Sequence, residues 1–400
     1  MHIRTINVIF ITPKRLIFPK HYAILNTASK NDKEVYKMKR NANIDLFRII
    51  ATLLVIMLHV LGKGRVIHSA APGSATFWTA WFLEICALCA VNCFALISGY
   101  VMVNKTIKAK SLISLWFQVL FYSLLITALC FIFMPDTISL SNVILAFLPV
   151  IGKRWWYVSA YFALFIFLPF INEALRHISQ TTYRKFLIII LVGVCMIDCV
   201  IPLDAFGIND GYSAIWLMIV YLFGAYIRKY GVLEKITALH SLLGFFTMAA
   251  ATFASKFALN YIGITEYEDT FTTYHSITIL LSAIFLFFFC MKIKLSGAVS
   301  KVILFLSPVT LSVYLIHVHP LIFYNVIKSA FASFASKSPV VMALCVIAAT
   351  LAIFVICAAI DLIRIQLFKL IRVNKLCEFA DKKIRLLYGK VFKDKSEIKV

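Results

Sequence analysis

Long apolar stretches, separated by short polar segments, run through the sequence from residue 44 to residue 363. A helix rises about 1.5 Å per residue, so each stretch is long enough to cross the roughly 30 Å hydrocarbon core of a bilayer. We therefore predict an all-α, polytopic transmembrane helix bundle of about ten spans. The predicted spans are 44–62, 77–103, 111–134, 156–172, 186–202, 212–228, 239–262, 272–291, 303–326 and 340–363. The shorter apolar segment 137–151 is interpreted as re-entrant or interfacial.

The basic residues of the loops predict the orientation of the bundle. Lysines and arginines are concentrated in the loops after the second, fourth, sixth and eighth spans, whereas most loop acids lie in the alternate set. Cytoplasmic loops are enriched in Lys and Arg, so both termini are predicted to be cytoplasmic. The predicted organisation is a basic, disordered extension at 1–40, a membrane domain at 41–365 and a basic cytoplasmic tail at 366–400.

The composition supports a membrane protein and argues against a nucleic-acid partner. Hydrophobic residues make up 62% and charged residues 14% of the 400 residues, whereas soluble domains are about 25% charged. The net charge of +22 resides at the ends and in short loops, and no nucleic-acid-binding motif accompanies it. Basic segments beside apolar spans are typical of contacts with membrane lipid. We expect a multi-pass protein of the cytoplasmic (inner) membrane.

Ionisable residues within the first span are the strongest functional signal, because charge is costly inside a bilayer. Arg48 and His59 are separated by eleven positions. At about 100° per residue these positions return to within roughly 20° of the same helix face, about 16 Å apart along the axis. Asp45 lies near that face and can pair with Arg48. His59 suits proton transfer with a hydroxyl, and Arg48 suits a phosphate or carboxylate.

Each of these residues also has a purely structural interpretation. His59 could form a hydrogen bond to a neighbouring helix, and Arg48 could pair with Asp45 only to lock the first span. Glu84, an intramembrane carboxylate of the second span, could orient His59 or hydrogen-bond another helix.

Further polar and aromatic residues are candidates for a substrate cavity. Ser98 precedes Gly99, which would allow close backbone approach between helices. Trp156 and Tyr157 open the fourth span, where aromatic residues usually anchor the interface but can also stack on sugars. Tyr314 and His317 lie in the ninth span, just before Pro320, which should loosen the helix. Cys86, Cys89 and Cys93 are interpreted as packing residues, and no metal site is expected.

Five segments in fixed order carry a family resemblance. They are Asp45-x-x-Arg48 with His59, the segment Val91–Tyr100, Trp156–Tyr161 continuing to Leu168–Asn172, Phe223–Arg228, and Tyr314–His317. With these residues the chain resembles the acyltransferase-3 family of integral membrane acyltransferases over about residues 41–365.

The resemblance implies transfer of an acyl group, usually acetyl from cytoplasmic acetyl-CoA, to a hydroxyl of an extracytoplasmic or lipid-linked polysaccharide. Lipopolysaccharide, capsule, exopolysaccharide and peptidoglycan are acceptors in the family. His59 and Arg48 match its essential histidine and arginine. Where the family often has an arginine-rich motif, this chain has only Lys105, Lys108 and Lys110, which would hold the CoA phosphates as point charges.

The sequence leaves other functions open. A glycan flippase or proton-coupled transporter could use His59 and Glu84 as a proton relay. A sensor or assembly subunit of a polysaccharide export system would tolerate replacement of His59. Within the enzyme class, the acyl group could be succinyl or longer instead of acetyl.

Overall fold

A computed structural model describes residues 40–201, 204 and 206–391 of the chain. The predicted extension at 1–40 therefore lies almost wholly outside the described residues. In the described part, the chain is α-helical with no β-strand, as predicted. Its main helices are α1 Ala42–Leu58, α2 Ala75–Leu88, α3 Ala90–Met102, α4 Ala109–Phe133, α5 Leu140–Phe147, α6 Trp156–His177, α7 Gln180–Val192, α8 Ala214–Lys229, α9 Ala238–Tyr261, α10 Ile277–Lys292, α11 Gly297–Leu306, α12 Thr310–His317, α13 Pro339–Leu370 and α14 Val373–Val391.

Short helical turns connect or extend these helices. Three-residue or four-residue α-helical turns are Val66–Ser69, Asp198–Val200 and Pro320–Ile322. Turns of π-helix are His59–Lys63, Gly193–Ile197 and Phe323–Ile327. Turns of 3₁₀-helix are Pro135–Thr137, Asn209–Gly211, Val232–Lys235, Thr265–Tyr267, Ser307–Val309 and Ala332–Ser336.

The helix lengths agree with a bundle of about ten spans. In the described residues, eight continuous helical segments are long and apolar enough to cross a membrane. The shorter helices α8 and α10 coincide with the sixth and eighth predicted spans. The predicted interfacial segment 137–151 contains the short helix α5. The protein is therefore a multi-pass, all-helical membrane protein.

Helices α3 and α8 pack closely against each other through two glycines. A Cβ atom added at Gly99 would lie 2.0 Å from the carbonyl oxygen of Tyr221, and one added at Gly224 would lie 2.1 Å from that of Leu96. Neither glycine could carry a side chain without separating the backbones. The close approach predicted at Gly99 is confirmed.

Two buried polar clusters join other helices. The carboxylate of Asp361 on α13 accepts a hydrogen bond from Tyr122 of α4 at 2.7 Å and is paired with Arg364. Lys256 of α9 pairs with Asp269 at 2.8 Å, and its ammonium lies 3.8 Å from the ring centre of Trp81 on α2. In both clusters the buried charge has a charged partner, which offsets the cost of burial in a low dielectric.

Most of the basic tail predicted at 366–400 is helical as far as residue 391. The last long helix continues to Leu370, and the tail then forms α14, which packs against the start of α4. Lys110 at the start of α4 binds Glu378 at 2.7 Å, and its backbone N–H donates to Asp381 at 3.0 Å.

Candidate active site

A cavity of about 480 Å³ lies between α1, α3, α6 and α12. This volume is in the usual range for small-molecule sites, about 300–1,000 Å³. Of the residues singled out from the sequence, those lining it are Arg48, His59, Ser98, Trp156, Tyr157 and Tyr314. Arg48 lies near the end where α1 begins and His59 near the end where α1 stops, so the cavity follows much of the length of α1. The structure therefore brings both ionisable residues of the first span to one space.

A second histidine fixes the orientation of His59. His59 Nδ1 lies 3.0 Å from His317 Nε2, and His317 Nδ1 lies 2.5 Å from the carbonyl oxygen of Val313. A carbonyl oxygen only accepts, so His317 Nδ1 carries the hydrogen and the Nε2 of neutral His317 is an acceptor. His59 Nδ1–H must then donate to it, which leaves the lone pair of neutral His59 on Nε2. The arrangement gives His59 one defined tautomer with a free basic nitrogen.

The position of His317 follows from a break in the ninth span. Helix α12 ends at His317, and the chain resumes as a helical turn at Pro320, which cannot donate a backbone hydrogen bond. The loosening predicted at Pro320 is thereby confirmed. His59 itself begins a turn of π-helix, and the ring of Phe323 packs edge-on against its imidazole at 5.0 Å.

A buried arginine holds the broken segment in place. Arg154 donates to His319 Nε2 at 3.1 Å, to the carbonyl of Asn142 at 2.9 Å and to the hydroxyl of Thr127 at 2.9 Å. The ring of Trp155 packs on His319 with a centroid separation of 5.4 Å. Burial lowers the pKa of Arg154 to about 10, so the side chain is still cationic at neutral pH. Arg154 thus ties α4 and the α5 segment to the break that presents His317.

Arg48 is positioned by Asp45 and an adjacent helix. Asp45 is fully buried, and its Oδ1 accepts from Arg48 at 2.6 Å and from the hydroxyl of Ser307 at 2.8 Å. Ser307 links α11 to α12. Asp45 is fourteen positions from His59, about 21 Å along α1. The structure therefore brings Asp45 to Arg48 and away from His59.

Aromatic side chains form part of the cavity wall. Tyr157 and Tyr161 stack with centroids 6.5 Å apart. The hydroxyl of Ser98 donates to the carbonyl oxygen of Phe94 at 2.9 Å and lies 3.5 Å from the hydroxyl of Tyr161. The buried hydroxyl of Tyr157 has no hydrogen-bond partner in the described part of the chain. A bound molecule could supply the missing partner.

An aromatic group of three residues lies at one side of the cavity, around Trp156. Trp156 and Tyr274 stack at 15° with centroids 6.4 Å apart, and Tyr212 packs on Trp156 at 4.7 Å. Tyr274 lines the cavity, and Tyr212 is exposed. A Cβ atom added at Gly62 would lie 3.7 Å from Oε1 of Glu84, so Glu84 lies beside the turn that begins at His59. Among the described residues, His317 and not Glu84 forms the hydrogen bond with Nδ1 of His59.

The three lysines predicted to hold CoA phosphates lie next to the cavity without lining it. Lys105 and Lys108 are exposed, and Ser111 of the following turn reaches the cavity. Lys110 forms an ion pair with Glu378 at 2.7 Å. Among the residues described, no group of three or more His, Cys, Asp or Glu is arranged to hold a metal.

Comparison with known proteins identifies the family of the chain. The acyltransferase domain profile of the acyltransferase-3 family matches residues 41–359. The chain belongs to the acyltransferase-3 family. The matched region contains Arg48, His59 and His317 and extends over nearly all of the predicted membrane domain. Neither a curated protein nor a solved structure gives a significant match.

Several cavity residues were not found from the sequence. Tyr161 could have been predicted, because it follows Tyr157 by one helical turn and so lies on the same helix face. Tyr274 lies in a connection before α10, where no periodicity indicates its direction. His59 and His317 are 258 positions apart in the sequence. No local sequence pattern predicts that two such distant residues form a pair.

Proposed function

We propose that this membrane acyltransferase moves an acetyl group from cytoplasmic acetyl-CoA to a hydroxyl of an extracytoplasmic or lipid-linked polysaccharide, in the inner membrane. The observation that carries the proposal is the single cavity with Arg48 toward one end and the oriented His59 toward the other. Membership of the family indicates that the protein transfers an acyl group. The arrangement of the cavity supports acetyl-CoA as the donor and a sugar hydroxyl as the acceptor.

The distance between the two residues suits an acyl-CoA donor. Arg48 and His59 are about 16 Å apart along α1. In CoA, an extended pantetheine arm separates the phosphates from the thioester. A donor with a phosphate at Arg48 would therefore reach toward His59 with its acyl group. Asp45 binds the guanidinium of Arg48 and is itself held by Ser307, so the guanidinium has a fixed position from which it can bind a phosphate. A guanidinium binds phosphate well through its several donors.

His59 acts as the base in this proposal. Its Nε2 removes the proton from the sugar hydroxyl, the oxygen forms a bond to the thioester carbonyl carbon, and the carbon–sulfur bond breaks. The CoA thiolate leaves and takes the proton from His59. His317 accepts the Nδ1–H of His59 and so stabilises the transient imidazolium. The same residues also fit a route in which Nε2 first attacks the thioester and carries the acetyl group.

The aromatic group near Trp156 supports a sugar acceptor. Trp156 and Tyr274 line the cavity, and Tyr212 packs against both of them. Aromatic rings combine apolar faces with polar edges, which matches the alternating C–H and O–H surfaces of a pyranose. Tyr157 adds a buried hydroxyl that has no hydrogen-bond partner among the described residues.

The test is acetyl transfer by the purified full chain in proteoliposomes. Radiolabelled acetyl-CoA is added with polysaccharide isolated from a host strain that lacks the protein. The proposal expects base-labile label on the polysaccharide, dependent on His59 and absent with His59→Ala. Movement of glycan across the bilayer without use of acetyl-CoA would overturn it in favour of a transporter.

A further inference from the structure

The last helix of the described chain has two different faces. One face packs on the bundle through Val373, Cys377 and Asp381, which are buried and spaced four residues apart. The second face is an apolar stripe formed by Leu376, Phe379, Leu386 and Leu387, each more than half exposed. At 100° per residue, the stripe covers about 100° and is centred roughly 130° away from the packed face. The bundle therefore cannot cover it.

Basic side chains accompany the apolar stripe. Lys375 and Lys382 border it on the helix surface, within about 40° of Leu386, and both are exposed. Lys383 lies within the stripe, with its ammonium 4.7 Å from the ring centre of Phe379. A long lysine can keep its charge in water while its methylene groups cover an apolar surface. An apolar stripe bordered by lysines is typical of helices that lie in the membrane interface.

The position of α14 in the chain favours the same partner. Helix α13 exposes Ile363, Leu367 and Leu370 in its last two turns, as a lipid-facing span does. Arg372 then adopts a left-handed backbone conformation with φ of 56°, and α14 begins at Val373. The stripe thus starts within two turns of the end of a membrane span. A membrane span ends at the lipid head groups, so the stripe begins close to the interface between lipid and water.

We propose that α14 binds the surface of the bilayer, with its apolar stripe among the acyl chains and Lys375, Lys382 and Lys383 on anionic lipid head groups. This contact holds Glu378 and Asp381 against Lys110, one residue before the cavity-lining Ser111. The proposal does not depend on the donor or the acceptor of the acyl transfer.

Photo-crosslinking of the full chain tests the proposed lipid contact. The photoreactive residue p-benzoylphenylalanine is placed at Phe379 or Leu387, and at Asn374 as the control, because Asn374 is exposed on the polar side of α14. The variants are reconstituted in vesicles of phosphatidylethanolamine and phosphatidylglycerol and irradiated. We expect phospholipid adducts by mass spectrometry from Phe379 and Leu387, and none from Asn374. Crosslinks to a second copy, or absence of lipid adducts at Phe379, would overturn the proposal.

A charge variant tests the preference for anionic lipid. Lys375→Gln, Lys382→Gln and Lys383→Gln are combined with the photoreactive residue at Phe379. Each lysine near an anionic surface favours binding by up to about fivefold, so the ratio of phosphatidylglycerol to phosphatidylethanolamine adducts should fall. An unchanged ratio would contradict the assignment of these lysines to anionic head groups.

Discussion

His59 and His317 form a direct imidazole pair, with Nδ1 of the first 3.0 Å from Nε2 of the second. The other nitrogen of His317 is occupied by the carbonyl oxygen of Val313. The polarity of this chain of hydrogen bonds is fixed, because the carbonyl can only accept. Neutral His317 therefore orients His59 in the same way that the carboxylate orients the histidine of a Ser-His-Asp triad.

Replacing His317 should slow acetyl transfer without weakening donor binding. His317→Ala removes the acceptor for His59 Nδ1–H and allows the other tautomer. General-base catalysis contributes about 10²–10⁴-fold, and we expect kcat to fall by about 10–100-fold with little change in KM for acetyl-CoA. His68→Ala is the control, since His68 is exposed and outside the cavity. A variant with unchanged kcat would contradict an orienting role for His317.

Replacing Arg48 should instead weaken donor binding. Arg48→Lys keeps the charge but loses the planar set of donors. A hydrogen bond to a charged group contributes about 1.5–3 kcal/mol, so KM for acetyl-CoA should rise by about tenfold or more. Asp45→Asn should act in the same direction, because Asp45 holds the guanidinium. A loss of kcat with unchanged KM would place Arg48 in the chemical step instead.

The hydropathy pattern was sufficient to predict the fold, because each membrane helix must satisfy its own backbone hydrogen bonds and be apolar over its length. Gly99 and the break at Pro320 were also predictable, since both are local backbone effects. Contacts between distant segments were not. Asp45 with Ser307, His59 with His317, and Lys110 with Glu378 all join different helices. Which residues meet in such pairs depends on how the helices assemble. The hydropathy period within one helix carries no information about that assembly.

The contact between Gly99 and Gly224 should tolerate no added methyl group. Gly99→Ala and Gly224→Ala each force a Cβ into a backbone carbonyl of the opposite helix. Overpacking of this kind costs about 1–3 kcal/mol. We expect less folded protein and a lower Tm in detergent. Gly193→Ala is the control, because no atom of the described residues lies within 4 Å of an added Cβ there. Equal stability of Gly99→Ala and Gly193→Ala would contradict the close packing.

The buried pair of Asp361 and Arg364 should matter more than an exposed pair. Arg364→Met leaves the carboxylate of Asp361, whose side chain is fully buried, without its cation. Removing one partner of a buried pair costs about 3–5 kcal/mol. Arg176→Met breaks an exposed pair with Glu173 and should cost at most about 1 kcal/mol. The Tm values of both variants in detergent measure this difference, and similar losses would contradict it.

Ester-linked acetate on the cell-surface polysaccharide tests the central claim most directly. It is released with mild base from a deletion strain complemented with the wild-type chain, His59→Ala or His68→Ala. The account predicts loss of acetate in the deletion strain, restoration by the wild type and His68→Ala, and none by His59→Ala at equal membrane abundance. Acetate restored fully by His59→Ala, or unchanged in every strain, would contradict it.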